Sequence, residues 1–327
     1  MKPYLLPLSL SLALALTVAL SLSVGSAPVP VLGGLADWLA GETTSAALIM
    51  GEIRLPRTAL AALVGASLGL AGAALQGLLR NPLADPSLTG AAPGAALGAA
   101  FVFYYHLFPA AGELAPALAG MVGAALTLFF MLALAGRSPR AATLIMAGLA
   151  VSSIAGAALA AVLNFAPNPF AMQELVFWLL GSVAERGNRH LYFLLPAFFA
   201  GLALLWPQRR LLAALTLGED CAQSLGLNVT RASRLIIIGV ALLLGASVAV
   251  AGNIGFVGLV VPHMLRPFVA HRPDRLLVPS ALGGAILVVA ADIVVRHLPA
   301  MQELRLGVLT SFIGAPFFLW LIRKYRE

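Results

Sequence analysis

Long stretches without charge govern what this chain can fold into. Apolar runs bounded by Pro, Gly and charged residues cover 5–24, 57–79, 88–107, 115–135, 141–163, 190–206, 234–251, 254–270, 278–295 and 306–322. A helix needs about 20 mostly apolar residues to cross a hydrocarbon core of about 30 Å, so the pattern predicts ten membrane spans. The run 254–270 is the weakest, because Pro262, His263, Arg266 and Pro267 interrupt it, and it reads as a broken helix. Composition agrees: 61% of residues are hydrophobic and 10% charged, against roughly 45–50% and about 25% in a soluble domain. With a mean hydropathy of +0.97, a soluble enzyme is excluded, and little sequence remains for a second domain.

Residue counts remove further classes. Cys221 is the sole cysteine, so neither an intrachain disulfide nor a cysteine metal cluster is possible. Lys2 and Lys324 are the two lysines and neither follows glycine, so the phosphate-binding loop G-x-x-x-x-G-K-[ST] is absent. Any ATP that drives this protein is bound by another chain. The formal charge of +7 does not indicate nucleic acid, since the bases are scattered over interhelical loops.

Membrane orientation accounts for them instead. With the N-terminus inside, the inner face holds Lys2, Arg80, Arg137, Arg140, Arg209, Arg210, Arg231, Arg234, Arg266, Arg272, Arg275, Arg323, Lys324 and Arg326. The outer face keeps Arg54, Arg57, Arg186, Arg189, Arg296 and Arg305. Both termini are therefore expected in the cytoplasm. The first run has two readings, a retained span or a signal peptide cleaved near Gly25-Ser26-Ala27; its long apolar core favours the span.

Two segments echo each other. Leu63 to Gly72 reads LVGASLGLAG and Leu243 to Gly252 reads LLGASVAVAG. They fall in the second and seventh runs, which cross in opposite directions, so the echo fits an inverted repeat as well as a chance match between Gly/Ala/Leu-rich helices. Gly65 and Gly69 stand four residues apart, a spacing that lets helix backbones approach closely.

The stretch 54–98, RLPRTALAALVGASLGLAGAALQGLLRNPLADPSLTGAAPGAALG, carries the most information. With LGEDCAQSLGLNV (217–229), GNIGFVGLVVPHMLR (252–266), ADIVVR (291–296) and LRLGVLTSFIGAPFFLWLI (304–322), it resembles the FecCD family of ABC importer permeases over nearly the whole chain. That resemblance implies an all-α polytopic membrane protein with about ten transmembrane helices and the type II importer fold typified by vitamin B12 permeases. It also implies a homodimer, two ABC ATPase subunits below, one periplasmic substrate-binding protein above, membrane lipid around, and the bacterial inner membrane as location. Cargo in the family is a ferric siderophore, haem or a corrinoid; no catalytic residue, cofactor, resident metal or nucleic acid is expected of this chain.

Several residues acquire candidate roles. Arg54 and Arg57, at i,i+3, share a helical face, and planar guanidiniums suit a docking carboxylate; the resemblance assigns them, with Arg296, to the binding protein's acidic residues. The residues alone favour helix-flanking bases meeting lipid headgroups or acids such as Glu52, a reading that the motif match reverses. Asn81 to Pro86, NPLADP, must turn, because two prolines forbid a regular helix; the resemblance makes Asn81 and Leu83 a cytoplasmic gate, whereas a simple loop, with Asp85 capping the next helix, is the other reading. Gly218, Glu219, Asp220, Ala222, Leu225 and Gly226 form a short glycine-bracketed helix in the long inner connection 207–233, with its acids at the favourable end of the dipole. It resembles the coupling segment that inserts into the ATPase; a helix lying on the membrane is the alternative.

Two intramembrane polar groups complete the set. His263 is expected to make a structural hydrogen bond and not to ligate haem iron. Asp292 lies four residues before Arg296, so the pair can meet on one face; the rival role is a proton relay. A gradient-driven secondary transporter and a polytopic membrane enzyme are the competing functions. Five scattered histidines give the enzyme no support.

Overall fold

The computed structural model describes residues 4–25, 27–105, 109–136, 141–165, 169–298 and 304–324. Lys2, Arg137, Arg140 and Arg326, counted above for orientation, lie outside them. Every apolar run becomes helix, and no strand occurs among the described residues. The order is α1 (Leu5–Ser23), α2 (Val31–Leu39), α3 (Ser45–Leu48), α4 (Leu55–Leu79), α5 (Ala91–Tyr105), α6 (Ala115–Ala135), α7 (Ala141–Asn164) and α8 (Pro169–Leu179). It continues with α9 (Asn188–Leu205), α10 (Arg209–Ala214), α11 (Glu219–Ser224), α12 (Val229–Ala251), α13 (Val257–Leu265), α14 (Pro273–His297) and α15 (Leu306–Lys324). Seven helical stretches are long and apolar enough to cross a membrane, with three shorter apolar helices at α5, α13 and α15, which together occupy the ten expected runs.

The spans differ in how much the rest of the chain covers them. The α4 and α12 windows are 78% buried, whereas those of α1, α7 and α9 are 17–22% buried. The centre is thus α4 and α12, the two helices that carry the sequence echo. Ser67 in one donates to the Leu63 carbonyl (2.8 Å), and Ser247 at the matching position of the other donates to the Leu243 carbonyl (2.7 Å). Each hydroxyl thereby satisfies itself inside the bundle, where lipid and packed helices offer no water.

Small residues set how closely α4 meets its neighbours. A side-chain carbon on Gly65 would strike the backbone of Gly284 in α14, one on Gly69 the Ser280 carbonyl, and one on Gly72 the backbone of Gly258 in α13. In lipid, where apolar burial between helices gains little, such backbone-to-backbone contact is a main source of association.

Apart from α11, elements without a long apolar run were not foreseen. A π-helical segment, Ile49–Arg54, leads from α3 into α4, so the second span starts earlier than 57. The short helices α2, α8 and α10 also fill stretches that carry no such signal. The interrupted run 254–270 is a nine-residue α-helix followed by a 3-10 turn, Arg266–Val269. Phe256 enters it with φ of 66°, and the non-helical backbone ahead is covered by Gly181 and Gly307 packed on Asn253. Irregular backbone at membrane depth is tolerated only when other chain segments cover it in this way.

The first span is tied to the remainder by polar contacts. Arg54 donates to the carbonyls of Leu22 (2.8 Å) and Ala27 (2.6 Å), and Arg296 to those of Ser21 (3.0 Å) and Val24 (2.9 Å). Cleavage near residue 27 would orphan buried guanidinium donors, each at about 1–3 kcal/mol. Intact-mass measurement of the purified protein should therefore find residues 1–27 retained, and a mature chain starting near residue 28 would refute this. Gly72→Leu should force α4 from α13 and cost at least about 2 kcal/mol; an unshifted thermal unfolding midpoint in detergent would contradict the close approach.

Candidate functional site

At the ends of α4 and α14 that the charge bias above reads as outer, the opposite end of α4 being read as inner, the chain builds a buried ionic cluster. The Asp292 carboxylate, 1% exposed, accepts from Arg57 through Nε at 3.0 and 3.1 Å and through Nη2 at 2.8 Å. Arg296, one turn further along α14, reaches the other carboxylate oxygen at 3.0 Å. Its remaining donors go to the Ser21 hydroxyl (2.6 Å) and the two α1 carbonyls already named. Ser21 in turn bonds Thr58 of α4 at 2.8 Å.

Arg54, at the end of the π-helical segment, is 4% exposed and directs one guanidinium end at α1 and the other at the connection that follows it. The three arginines line one cavity of about 420 Å³ with Val24, Ile53 and Leu298. Three cations against one carboxylate leave this outer pocket with an excess of positive charge. Asp292 pairs with Arg57 as well as with Arg296, and the Arg57 contact was not foreseen; an intramembrane acid requires partners, and that requirement was the available signal. Glu52 does not meet these arginines but accepts from Asn188 at 3.1 Å.

A second outer cavity, of about 500 Å³, lies where α5, α8 and the start of α15 converge. Glu113, Glu185, Arg186, His190 and Arg305 contribute its polar lining, and Trp178 and Phe177 its aromatic wall. Arg305 sits 5.3 Å from the Phe177 ring centroid. Burial lowers the Arg186 guanidinium pKa, an effect that Glu185 partly offsets. Sequence spacing placed these bases on the outer face but gave no sign that they share a cavity.

At the inner end, α4 stops by a Schellman motif: Arg80 takes φ of 51°, Asn81 N donates to Gln76 O at 3.2 Å, and Arg80 N to Gly77 O at 3.4 Å. Asn81 Oδ1 then accepts from Leu83 N (2.9 Å), and Asp85 Oδ1 from Ser87 N (2.8 Å). The two side chains fold NPLADP into a defined turn. Asn81 is exposed and Leu83 half-buried. The turn does not stay outside the bundle: Asp85, Pro86 and Ser87 line a cavity of about 200 Å³ with Leu68, Leu244 and residues 253–256. Just above, Gln76 is wholly buried and bridges helices, donating to the Gly258 and Leu259 carbonyls (3.3 and 3.2 Å) and accepting from Arg266 (2.8 Å).

The inner connection contains α11, bracketed by Gly218 at φ of 105° and Gly226 at 78°. Neither glycine has an atom within 4 Å of where a side chain would start, so backbone conformation and not crowding requires glycine there. Ala222 is fully buried among Leu211, Leu212 and Leu215, which seats α11 on the bundle through α10. Asp220, Gly226, Leu217 and Leu225 stay exposed, the leucines at 71% and 63%. Glu219 reaches Arg80 at 3.5 Å, so α11 contacts the residue from which the NPLADP turn departs. His263 packs edge-on against Phe317, with ring centroids 6.0 Å apart.

Comparison with known proteins agrees with this geometry. The model of the FecCD transport family matches residues 13–324. An ABC transporter permease of Bacillus subtilis, YvrB, is 43% identical over 284 residues, 85% of this chain and 80% of the relative. The hemin transport system permease of Yersinia pestis is 39% identical over 84% of this chain and 83% of its own. The vitamin B12 import system permease of Vibrio cholerae is 39% identical over 85% and 84%. A solved metal-chelate-type ABC transporter in an inward-facing conformation superposes with a TM-score of 0.83 at 30% identity, covering 97% of this chain and 98% of the other. A helical bundle of this architecture, matched from end to end by permeases, places the chain in its class: it belongs to the FecCD transport family, as a multi-pass membrane permease of the ABC type.

Proposed function

We propose that this chain is the membrane half of a binding-protein-dependent importer that carries an iron complex, a ferric siderophore or haem, or a corrinoid into the cytoplasm. In this reading two copies enclose the path, both termini are cytoplasmic, and the membrane is the bacterial inner membrane. ATP is hydrolysed on separate subunits, and a periplasmic binding protein delivers the cargo. The relatives named for hemin and for vitamin B12 match equally well at 39%, so the permease body serves chemically different cargo, and selection falls mainly to the binding protein.

The observation that carries the reading is α11. A six-residue helix held by two positive-φ glycines, anchored underneath by Ala222 and presenting Leu217, Asp220 and Leu225 outward, has the form of a lever for a partner subunit. A membrane-lying helix would direct its leucines and its acid to different solvents; here both kinds of residue are exposed together. Through Glu219 and Arg80 the lever adjoins the turn with Asn81 and Leu83, the proposed gate. Movement of α11 by ATPase closure is thereby passed to the inner mouth of the path, as a shift between two packed states.

The outer cluster supports the other partner. Arg54, Arg57 and Arg296 wall one cavity and carry net positive charge, which attracts a carboxylate of the binding protein. The enclosure of Asp292 removes the acid on which a gradient-driven carrier would depend.

Two measurements test the assignment. Gly226→Val denies the left-handed backbone that ends α11 and should lower ATPase stimulation in the reconstituted complex by about tenfold or more, with permease yield retained; full stimulation would reject the lever. Arg57→Lys keeps the charge opposite Asp292 but removes the two-pronged fork. Capture of the binding protein should weaken about tenfold, the loss of one charge-assisted hydrogen bond, and unchanged capture would exclude Arg57 from docking.

A further inference from the structure

A groove at the inner ends of α9 and α12 has no part in the transport scheme above. It encloses about 390 Å³ and is lined by Gln208, Arg210, Leu227, Asn228, Arg231 and Leu235, among others. No acid contributes to the wall. Arg210 and Arg231 are exposed, and among the described residues neither has an ion-pair or hydrogen-bond partner for its guanidinium. Three other inner arginines are engaged: Arg80 with Glu219, Arg272 with Asp274, and Arg234 with the Gly136 carbonyl.

The groove's surroundings identify the neighbouring solvent. Tyr192, Phe199 and Trp206 recur every seven residues along α9 and its continuation, and are 66%, 59% and 42% exposed. An uncovered aromatic stripe on a span faces lipid, and its tryptophan end marks the headgroup level. Arg209 stacks 4.5 Å from the Trp206 ring centroid, directly before Arg210. The lining is graded in the same direction. Arg231 lies in the first turn of α12 and Leu235 about 6 Å deeper along the axis, so cations stand at the rim and aliphatic side chains below them. That order matches an amphiphile with an anionic head.

We propose that this groove holds one anionic phospholipid of the inner leaflet, its phosphodiester between Arg210 and Arg231 and its first acyl carbons against Leu227 and Leu235. Basic pockets between spans on the cytoplasmic side bind such headgroups. Most of the lining belongs to the two ends of the connection that carries α11, so lipid charge there bears on the lever's setting. The proposal rests on the reading that residues 207–233 are cytoplasmic.

The test uses the purified full-length permease with dioleoylphosphatidylglycerol, and dioleoylphosphatidylcholine as the neutral control, read by native mass spectrometry after mild detergent removal. Wild type should retain one phosphatidylglycerol per chain and R210Q/R231Q should bind it about thirtyfold more weakly, while R272Q, outside the groove, behaves as wild type. Equal retention by the double variant overturns the proposal. So does displacement of the lipid by millimolar inorganic phosphate, which would make a free anion the occupant. Loss of ATPase-subunit binding by R210Q/R231Q in neutral-lipid nanodiscs, with phosphatidylglycerol still retained, would assign the arginines to that interface and overturn it too. Sidedness is read separately by impermeant maleimide on Gln208→Cys in a Cys221→Ser background. Labelling in intact cells refutes the cytoplasmic reading, whereas protection there without lipid retention refutes the groove alone.

Discussion

Asp292 and its two arginines hold together what the bilayer would otherwise leave loosely associated. Burying an isolated carboxylate at this depth is prohibitive, and removing one partner of such a pair typically costs about 3–5 kcal/mol. The chain meets this by bringing Arg57 from α4 and Arg296 from α14 to a single carboxylate. Because Arg296 and Arg54 also grip the end of α1, the cluster joins three spans and the π-helical entry segment at one point. Below it, Gly65 and Gly69 bring α4 against α14. Close backbone packing supplies contact but little register, since a Gly- and Ala-rich surface can slide; fixed hydrogen-bond geometry at the outer end supplies the register.

The inner end is built to the opposite specification. Arg80 and Glu219 meet at 3.5 Å with side chains 45% and 37% exposed, a contact of the kind worth at most about 1 kcal/mol. A bond that weak is made and lost within the few kcal/mol that separate two conformations of a transporter. The bundle is thus ion-locked at the outer end of α4 and held by exchangeable contacts at its inner end. Between the two sits Gln76, whose amide bridges α4 to α13 and Arg266.

How far the sequence revealed this depends on what kind of signal each feature leaves. Long apolar runs made the spans legible, and 115–135 coincides with α6 residue for residue. The two glycines around α11 and the prolines after Asn81 marked the breaks, because they act through local backbone geometry. Segments such as α2 and α8 left no such mark, being too short for an apolar run to stand out, and were missed. So were contacts between distant positions. Arg57 and Asp292 are separated by 235 residues, and nothing local in either motif points to the other. The i,i+4 relation of Asp292 to Arg296 was accessible for the converse reason. The outer cavity of Glu113, Arg186 and Arg305 required three loops to converge, which only the tertiary structure supplies.

The broken span connects these two ends. A nine-residue helix at 1.5 Å per residue spans about 14 Å, less than half of a bilayer's hydrocarbon, so the membrane alone cannot hold α13 in place. Its position is set by protein: Gly252 and Gly181 in close approach, Gly307 on the Asn253 carbonyl, and the Ser182 amide donating to Ala251 at 2.7 Å. Residues 253–256 then share a cavity with Asp85 and Pro86 of the NPLADP turn. A segment that lacks its own lipid anchorage and borders the turn will follow that turn, since moving one alone would open an unfilled space or a clash between them. The short helix is thus held by its neighbours in the chain, and Pro262, Pro267 and left-handed Phe256 are the features that keep it from becoming an ordinary span.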